Sequence, residues 1–240
     1  MNDMKHMLSL MRRAIDDYRM IESGDRIAVG ISGGKDSLTL LAVLAALQKF
    51  YPIPFSLVAI TVDIGLPDMD FSPVEAFCRE LGVPYVVTKT EIASIIFDVR
   101  RESNPCSLCA KMRRGSLHST ALAEGCNKVA LGHHKDDAVE TFMMNLMFEG
   151  RLGCFSPKTY LSNTGLTLIR PLLYAQECDV SGFARRQALP VVKSTCPEDH
   201  ATERERMKET LRTLEKTYPH VRERAFHALC KAGLDGFSLF

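Results

Sequence analysis

Apolar runs alternate with helical patterns along the first part of the chain. The segment from Arg26 to Ile31 is rich in β-branched residues and leads into glycines, and Leu38 to Phe50 is apolar on nearly every side. This order predicts a strand, a glycine turn and a buried helix. Phe55 to Val62 and Tyr85 to Thr88 repeat the strand pattern. Continuous apolar strands between helices are typical of a sheet covered on both faces, so the expected fold class is α/β with a doubly wound, mainly parallel sheet.

Capping residues and periodicity predict the elements that follow. Ser72-Pro73 predicts the N-cap and first position of a helix that Gly82 ends. Helical patterns are expected at Ile92 to Val99 and from about Lys135 to Phe148. Between them, Val129 to Leu131 predicts a fourth strand.

The alternation stops after Gly150. A hairpin that turns at Asn163-Thr164-Gly165 is expected, and Leu189 to Val192 is an apolar, strand-like run. From Thr202 onward the chain is charged and predicted to be helical, with a break at Pro219. Together with an amphipathic leading helix, these residues predict helical additions at both ends of the sheet domain.

Composition limits the classes of protein that the chain can belong to. The 240 residues are 46% hydrophobic, which is enough for one sizeable core. The 30 basic and 29 acidic residues leave a formal charge of +1, so contacts with nucleic acid must depend on local patches. The longest apolar run, Leu38 to Leu47, is far shorter than the roughly 20 residues that cross a bilayer. No secretory signal is recognisable, so we expect a cytoplasmic protein with no membrane partner.

The segment Ser32-Gly33-Gly34-Lys35-Asp36-Ser37 joins the first predicted strand to a helix. Glycines in that place let the backbone approach a polyphosphate, and the helix N-terminus favours its negative charge. Asp36 stands where a Walker A loop has Ser or Thr, and a carboxylate beside phosphates suggests a metal-bridged nucleotide. The alternative is a tight turn that needs glycine for backbone reasons alone.

Eight cysteines in a cytosolic chain indicate buried thiols or metal ligands rather than disulfides. Cys106 and Cys109 form a C-x-x-C at the start of a basic helix, and Cys196 lies in a Cys-Pro turn. Three cysteines that hold a four-iron four-sulfur cluster leave one iron open to a sulfur atom or substrate. The alternative is a zinc site or a C-x-x-C without metal. Cys78 and Cys230 are predicted to be thiols buried in the core.

Two histidines and two aspartates, His133-His134-Lys135-Asp136-Asp137, follow the fourth predicted strand. Acidic residues in a first helical turn ordinarily cap the helix and interact with its dipole. Histidines beside them are also suited to a hydrolytic metal pair. Both interpretations place this segment at the same edge of the sheet as the glycine loop.

These motifs resemble those of the PP-loop ATP pyrophosphatases, whose Ser-Gly-Gly-x-Asp-Ser loop binds ATP, and in particular the tRNA 2-thiocytidine synthetase (TtcA) family. The resemblance covers nearly the whole chain, and its motifs occur in the family's order: Ser32 to Ser37, Pro105-Cys106-x-x-Cys109, Arg113-Arg114-Gly115, Leu131-Gly132-His133-His134-x-Asp136-Asp137 and Ile169-Arg170-Pro171-Leu172.

The resemblance implies roles for individual residues. It implies an iron-sulfur cluster on Cys106, Cys109 and Cys196, with Asp137 near the reacting base and Mg²⁺, and His133 near a phosphate. The implied catalytic residues are Asp36, Asp137 and Arg113, with Asp36 and Asp137 as the magnesium ligands. The implied ATP-binding residues are Ser32, Gly33, Gly34, Lys35, Asp36, Ser37, Asp63, Gly132 and His133.

The reaction that the resemblance implies is adenylation of a cytidine at C2 in a tRNA anticodon loop, followed by replacement of the oxygen with sulfur. ATP, Mg²⁺ and the cluster are the expected cofactors, and tRNA and a sulfur donor, either a cysteine desulfurase or free sulfide, are the expected partners. A homodimer is an open expectation. Two alternatives stay open: another adenylating enzyme, such as a lysidine-type ligase or a thiolase for another nucleoside or small molecule, and a non-catalytic ATP-binding metal or redox sensor.

Basic side chains are the expected contacts for tRNA phosphates. Arg113 is the strongest candidate because it lies one helical turn after Cys109. The expected organisation is a leading helix over residues 1–22, a PP-loop ATP-binding and iron-sulfur catalytic domain over 23–200, and a C-terminal helical extension over 201–240. The other candidates are Lys111, Arg114, Arg185, Arg186, Arg204, Arg206, Lys208 and Arg212.

Overall fold

A computed structural model describes residues 3–100, 105–198 and 203–240. Its helices are α1 (Asp3–Asp17), α2 (Lys35–Gln48), α3 (Ser72–Leu81), α4 (Ile92–Ser94), α5 (Pro105–Ala123), α6 (Lys135–Phe148), α7 (Glu177–Arg186), α8 (Glu203–Thr217) and α9 (Val221–Lys231). A π-helical segment, Ile95–Arg100, continues α4, and a short 3-10 turn, Leu234–Gly236, follows α9. Its strands are β1 (Asp25–Ile31), β2 (Phe55–Asp63), β3 (Tyr85–Lys89), β4 (Lys128–Ala130), β5 (Lys158–Tyr160) and β6 (Thr167–Ile169).

The six strands form one sheet in the order β3-β2-β1-β4-β6-β5. Every neighbouring pair is parallel except β5 and β6, which form the antiparallel hairpin at one edge. The chain moves outward from β1 to β2 and β3, and then returns to place β4 on the other side of β1. A crevice therefore opens between the carboxyl ends of β1 and β4, which is where open α/β sheets bind ligands. The predicted fold class is confirmed.

Helices cover both faces of the sheet and form its hydrophobic cores. On one face, α1, α2 and α7 pack with β1 and β2 in the largest cluster, to which Met11, Leu41 and Phe183 contribute fully buried side chains. The other face is covered by α5, whose Ala121 is buried against the sheet. The helices α8 and α9 pack on α6 in a separate cluster around Leu211 and Phe226.

Most predicted elements agree with the structure, and α6 has the predicted bounds. Two details were wrong. The N-cap of α3 is Phe71 rather than Ser72, whose hydroxyl instead donates to Asp70 at 3.0 Å. The described segment from Leu189 to Val192 is irregular rather than a strand, because it packs beside the glycine loop instead of pairing with the sheet. Within the described ranges, no helix is long and apolar enough to cross a bilayer.

Candidate active site at the carboxyl edge of the sheet

The glycine loop runs from the end of β1 into the first turn of α2 and is held by its own serines. Ser37 donates a hydrogen bond to the Gly34 carbonyl at 2.9 Å and accepts one from the Ser32 backbone N–H at 3.2 Å. Gly33 adopts φ +82°, a conformation that other residues rarely tolerate. The loop is therefore shaped before any ligand binds, at the helix N-terminus where phosphates are stabilised.

Lys35 and Asp36 form an ion pair beside this loop. Lys35 Nζ lies 2.8 Å from Asp36 Oδ1 and 3.4 Å from a carboxylate oxygen of Glu177, at the start of α7. Burial lowers the pKa of Lys35, but the two carboxylates outweigh it, and the net pKa is raised above its ordinary value. Lys35 is therefore a permanent cation at the nucleotide loop.

A second glycine brings the β4–α6 turn against this loop. A Cβ atom at Gly132 would lie 3.0 Å from the Asp36 carbonyl carbon and 3.1 Å from the Ser37 backbone nitrogen. Only glycine permits such an approach of two backbones. The side chains of the turn and of α2 consequently face one cavity.

The helix α6 begins with a reciprocal cap formed by His134 and Asp137. The Asp137 N–H donates to His134 Nδ1 at 3.4 Å, and Asp137 Oδ2 accepts from the His134 N–H at 2.9 Å. His134 is only 1% exposed, and its Nε2 faces Asp36 Oδ1 at 3.8 Å. The capping role weighed from the sequence is confirmed for Asp137, and its other oxygen, Oδ1, lies outside the cap.

His133, which precedes His134 in the same turn, has a neutral ring. Burial, followed by the charge of Arg170, lowers the pKa of His133 to about 4. Arg170 Nε donates to His133 Nδ1 at 3.3 Å, so the ring proton is assigned to Nε2. The ring also packs on Phe155, with centroids 5.0 Å apart. His133 thus offers an uncharged N–H donor at the crevice.

A cavity of about 400 Å³ occupies the crevice between β1 and β4. The glycine loop contributes Ser32, Asp36 and Ser37, and the β4–α6 turn contributes Gly132, His133 and Asp137. One face of α5 closes it through residues spaced three and four apart, namely Ala110, Arg113, Arg114, Leu117 and His118. The glycine loop and the segment from His133 to Asp137, which were both predicted at this edge of the sheet, therefore line the same cavity.

Arg113 connects this cavity to a second one of about 250 Å³. The second cavity is lined by Cys109, Cys196, Arg113 and Asp63, together with residues of the glycine loop. Asp63 Oδ1 also accepts the Gly65 N–H at 3.0 Å, so it stabilises the turn that follows β2. The sulfur-bearing residues therefore adjoin the nucleotide loop.

The three candidate cysteines lie close enough to influence one another electrostatically. Burial and then the charge of Cys196 raise the pKa of Cys106. Burial also raises the pKa of Cys109, outweighing the opposite effect of Arg113, while Cys196 and Cys106 add to the rise. The basic residues of α5 therefore do not offset the effect of burial on these thiols, which would lose their protons on binding metal.

The arrangement of these thiols agrees better with a cluster than with a single ion. Within residues 3–100, 105–198 and 203–240, no three His, Cys, Asp or Glu side chains are grouped so as to hold one metal ion. Ligands of a single zinc all lie about 2.3 Å from it, whereas the thiolates of a cluster bind different iron atoms and stand farther apart. Cys109 and Cys196 line one cavity and Cys106 lies close enough to both to affect them electrostatically, an arrangement that fits the latter.

An ion network behind the site involves residues that the sequence did not identify as a unit. Arg204 of α8 lies 3.6 Å from Asp137 and 3.5 Å from Glu140, and Arg222 of α9 lies 3.9 Å from Glu140. Glu140 is 0% exposed, and no described residue donates a hydrogen bond to its oxygens. Burial, opposed by Lys208 and Arg204, raises the pKa of Glu140 to about 7.

Several basic residues predicted to contact RNA also take part in ion pairs within the protein. Arg204 and Lys208 point toward acidic residues of α6 and α7, and Arg206 pairs with Glu203 in its own helix. His118 was missed, although its spacing from Arg114 on α5 identifies the cavity face. Arg170 was recognised only as part of a motif, and nothing in the sequence indicates its bond to His133.

Comparisons with known proteins agree with this geometry. The family described as the PP-loop domain matches residues 5–214. A Syntrophotalea carbinolica protein named tRNA-cytidine(32) 2-sulfurtransferase is 44% identical over 223 residues, which are 92% of this chain and 86% of that protein. A Geobacter metallireducens protein of the same name is 44% identical and is matched over 90% of this chain and 86% of its own length.

Solved structures extend the comparison to three dimensions. The U34-tRNA thiolase NcsA from Methanococcus maripaludis, with its 4Fe-4S cluster, has a TM-score of 0.75 and 27% identity over 92% of this chain and 76% of that one. An NAD+ synthetase from Burkholderia pseudomallei has a TM-score of 0.50 at 14% identity over 95% of this chain and 90% of that one, and so shares the fold alone.

Proposed function

The chain belongs to the tRNA-cytidine(32) 2-sulfurtransferase family of PP-loop proteins, and we propose that it converts cytidine 32 of tRNA to 2-thiocytidine at the expense of ATP. The observation that carries this proposal is the pair of adjoining cavities, one at the glycine loop and one at Cys109 and Cys196, with Arg113 in both. One site that holds a nucleotide beside thiols suits activation followed by sulfur transfer. The related sulfurtransferases support neither a lysidine-type ligase nor a sensor.

The first proposed step activates the base. The C2 oxygen of cytidine bonds to the α-phosphorus of ATP, and pyrophosphate leaves with the electron pair of the broken P–O bond. Backbone N–H groups of Gly33 and Gly34 and the Lys35 cation would bind the phosphates, and His133 Nε2–H would donate to one of them. Arg113, which lines both cavities, would stabilise the negative charge that develops on the phosphates. These residues position and stabilise; they form no covalent intermediate.

Two cofactors fit the remaining side chains. Asp36 and Asp137 line the nucleotide cavity and would hold Mg²⁺, which when bound neutralises charge on the phosphates. Cys106, Cys109 and Cys196 would hold the four-iron four-sulfur cluster, which when bound offers an open iron for the incoming sulfur atom. Two further residues would complete the ATP site. Asp63 lines the second cavity, and Gly132 lies in close contact with Asp36.

The second proposed step exchanges oxygen for sulfur. Sulfur bonds to C2 and AMP leaves with the former C2 oxygen, so sulfide and ATP yield the thiobase, AMP and pyrophosphate without net oxidation or reduction. Free sulfide would supply sulfur at this oxidation level, whereas persulfide sulfur from a cysteine desulfurase would first need two electrons from a thiol reductant, which becomes a disulfide. We also propose that the protein acts as a homodimer in the cytoplasm. Light scattering measures the oligomeric state and so tests the homodimer.

The direct test is an anaerobic reaction of cluster-loaded protein with ATP, Mg²⁺, sulfide and a tRNA transcript that contains cytidine 32. We expect equal amounts of pyrophosphate and 2-thiocytidine, with the sulfur mapped to position 32 by mass spectrometry. A transcript with uridine 32 is the matched substrate control and should give neither product. Pyrophosphate release with an unmodified transcript would contradict sulfur transfer while leaving adenylation intact.

A further inference from the structure

The segment that carries Cys196 has no helix or strand of its own, so its position depends on individual contacts. Two of these connect it to other loops of the site. The Val192 N–H donates to the Gly33 carbonyl at 2.9 Å. The Thr195 hydroxyl donates to the Pro67 carbonyl at 2.9 Å. One hydrogen bond therefore fixes the segment to the glycine loop, and the other fixes it to the loop after β2.

The contact with Gly33 is a close one. A Cβ atom at Gly33 would lie 3.0 Å from the Val192 Cβ, so the absence of a side chain at Gly33 makes room for Val192. Val192 also packs against the main hydrophobic core. Phosphates that bind to the loop and hold Gly33 in place would therefore also hold Val192, and with it the chain that leads to Cys196 four residues later.

The contact at Pro67 holds the other end of the same segment. Pro67 belongs to the loop that begins after Asp63 and ends at Phe71, and both of these residues line the cavity that contains Cys109 and Cys196. Cys196 itself makes a local hydrogen bond, in which its N–H donates to Ser194 Oγ at 3.2 Å. The Thr195 hydroxyl, next to Cys196 in the chain, thus connects the segment to another loop of the site.

From these contacts we infer that Val192 and Thr195 are positioning residues that couple nucleotide binding to the third cluster ligand. ATP on the glycine loop orders the 192–196 segment and favours the cluster, and the cluster favours ATP in return. The inference rests on the proposed function, because it takes Cys196 as a cluster ligand. Coupling between binding sites is reciprocal, so both effects have the same size, and we expect a factor of about ten.

Thr195 offers a matched pair of variants that test this inference without touching the site itself. Thr195→Val keeps the side-chain shape and removes the hydroxyl donor, whereas Thr195→Ser keeps the donor. For each protein, the dissociation constant of a non-hydrolysable ATP analogue is measured anaerobically with the cluster loaded and after its removal by a chelator. Iron loss to the chelator is followed with and without the analogue.

We expect the wild type and Thr195→Ser to bind the analogue about tenfold more tightly with the cluster and to lose iron more slowly in its presence. Thr195→Val should reduce the coupling to about threefold or less, while its cluster-free affinity stays near that of the wild type. Val192→Pro, which removes the backbone N–H that donates to Gly33, should also reduce the coupling. Thermal unfolding identifies any variant that fails to fold.

The inference is overturned if wild-type affinity is the same with and without the cluster, or if Thr195→Val couples as strongly as Thr195→Ser. Failure of the proposed function gives a different result. A protein that couples the two ligands but leaves cytidine 32 unmodified would remove the substrate assignment and keep the inference. A protein that thiolates cytidine 32 but does not couple the two ligands would keep the substrate assignment and remove the inference.

Discussion

The two halves of the site differ in how the fold supports them. The nucleotide half lies on regular elements: the glycine loop joins β1 to α2, and the His133-His134 turn joins β4 to α6. The cysteine half has Cys106 and Cys109 in the first turn of α5 and Cys196 in an irregular segment. Cys106 is exposed, whereas His134 and Ser37 in the nucleotide half are buried.

This difference indicates which half is formed before ligands bind. Backbone donors and the capped α6 are already oriented in the nucleotide half, so binding a phosphate requires little rearrangement. The thiols of Cys106 and Cys109 have raised pKa values, so their thiolate forms are disfavoured until metal binds them. The nucleotide half should therefore survive loss of the cysteine half, and four substitutions test that separation, from the largest expected effect to the smallest.

Replacing Cys196 by serine should abolish thiolation, because two thiolates cannot retain the cluster. Cluster-free variant and cluster-free wild type should bind an ATP analogue with affinities within about twofold, since an isosteric change leaves the nucleotide half unaltered. Iron content, 2-thiocytidine formation and calorimetric ATP binding are the measurements. Cys178→Ser is the matched control, as Cys178 is an exposed cysteine outside both cavities. A Cys196→Ser protein with full thiolation would refute the division.

Replacing Asp137 by asparagine should reduce pyrophosphate release about 100- to 1,000-fold, the typical cost of losing one group that stabilises transition-state charge. The iron content should not change. Asp136→Asn is the control in the same helical turn, because Asp136 pairs with Arg222 at 2.8 Å and does not line the nucleotide cavity. We expect the control to retain activity within about threefold. Equal losses in both variants would indicate that α6 acts structurally rather than through Asp137.

Replacing Glu140 by glutamine should flatten the pH dependence of stability. The folded protein keeps the Glu140 proton up to about pH 7, whereas the unfolded chain releases it near the ordinary pKa of 4.5. Stability should thus fall as pH rises between these values, by up to about 3 kcal/mol at 1.4 kcal/mol per unit. Denaturant unfolding at pH 5, 6 and 7 measures this slope, and an unchanged slope in the variant would exclude Glu140 as its source.

Replacing Gly132 by alanine should weaken ATP binding about tenfold. The added Cβ would lie 3.0 Å from backbone atoms of Asp36, which cannot move aside without displacing the first turn of α2. Overpacking of this kind typically costs about 1–3 kcal/mol. Gly115→Ala provides the control, because no neighbouring atom lies within 4 Å of a Cβ there. Unchanged affinity in Gly132→Ala would show that the approach of the two turns is unimportant.

The same division explains what the sequence could predict. The glycine loop and α6 were predictable because their signals are local: β-branched residues, glycines and a helical period lie side by side in the chain. The crevice between β1 and β4 follows from the order of the strands in the sheet, and no local sequence pattern determines that order. The cysteine half was assigned from the family resemblance, since three thiols separated by 90 residues between Cys106 and Cys196 carry no geometry of their own.

Long-range polar contacts were the part that the sequence could not provide. Leu189 to Val192 looks like a strand because it is apolar, but its N–H groups donate to carbonyls outside the sheet: that of Leu189 to Ala184 of α7 and that of Val192 to Gly33 of the glycine loop. Arg170 and His133 are 37 positions apart, and Arg204 and Glu140 are farther still. Charged residues with helical spacing resemble a solvated face, and only the packing of α8 on α6 identifies Arg204 as a partner of buried carboxylates.

The central claim is that both halves serve one reaction on tRNA. The most direct measurement is mass spectrometry of tRNA nucleosides from cells that lack the gene, complemented by the wild type or by the Cys106→Ala, Cys109→Ala, Cys196→Ala protein. We expect 2-thiocytidine to disappear in the deletion, to return with the wild type and to stay absent with the triple variant. Unchanged 2-thiocytidine in the deletion, or its return with the triple variant, would contradict it.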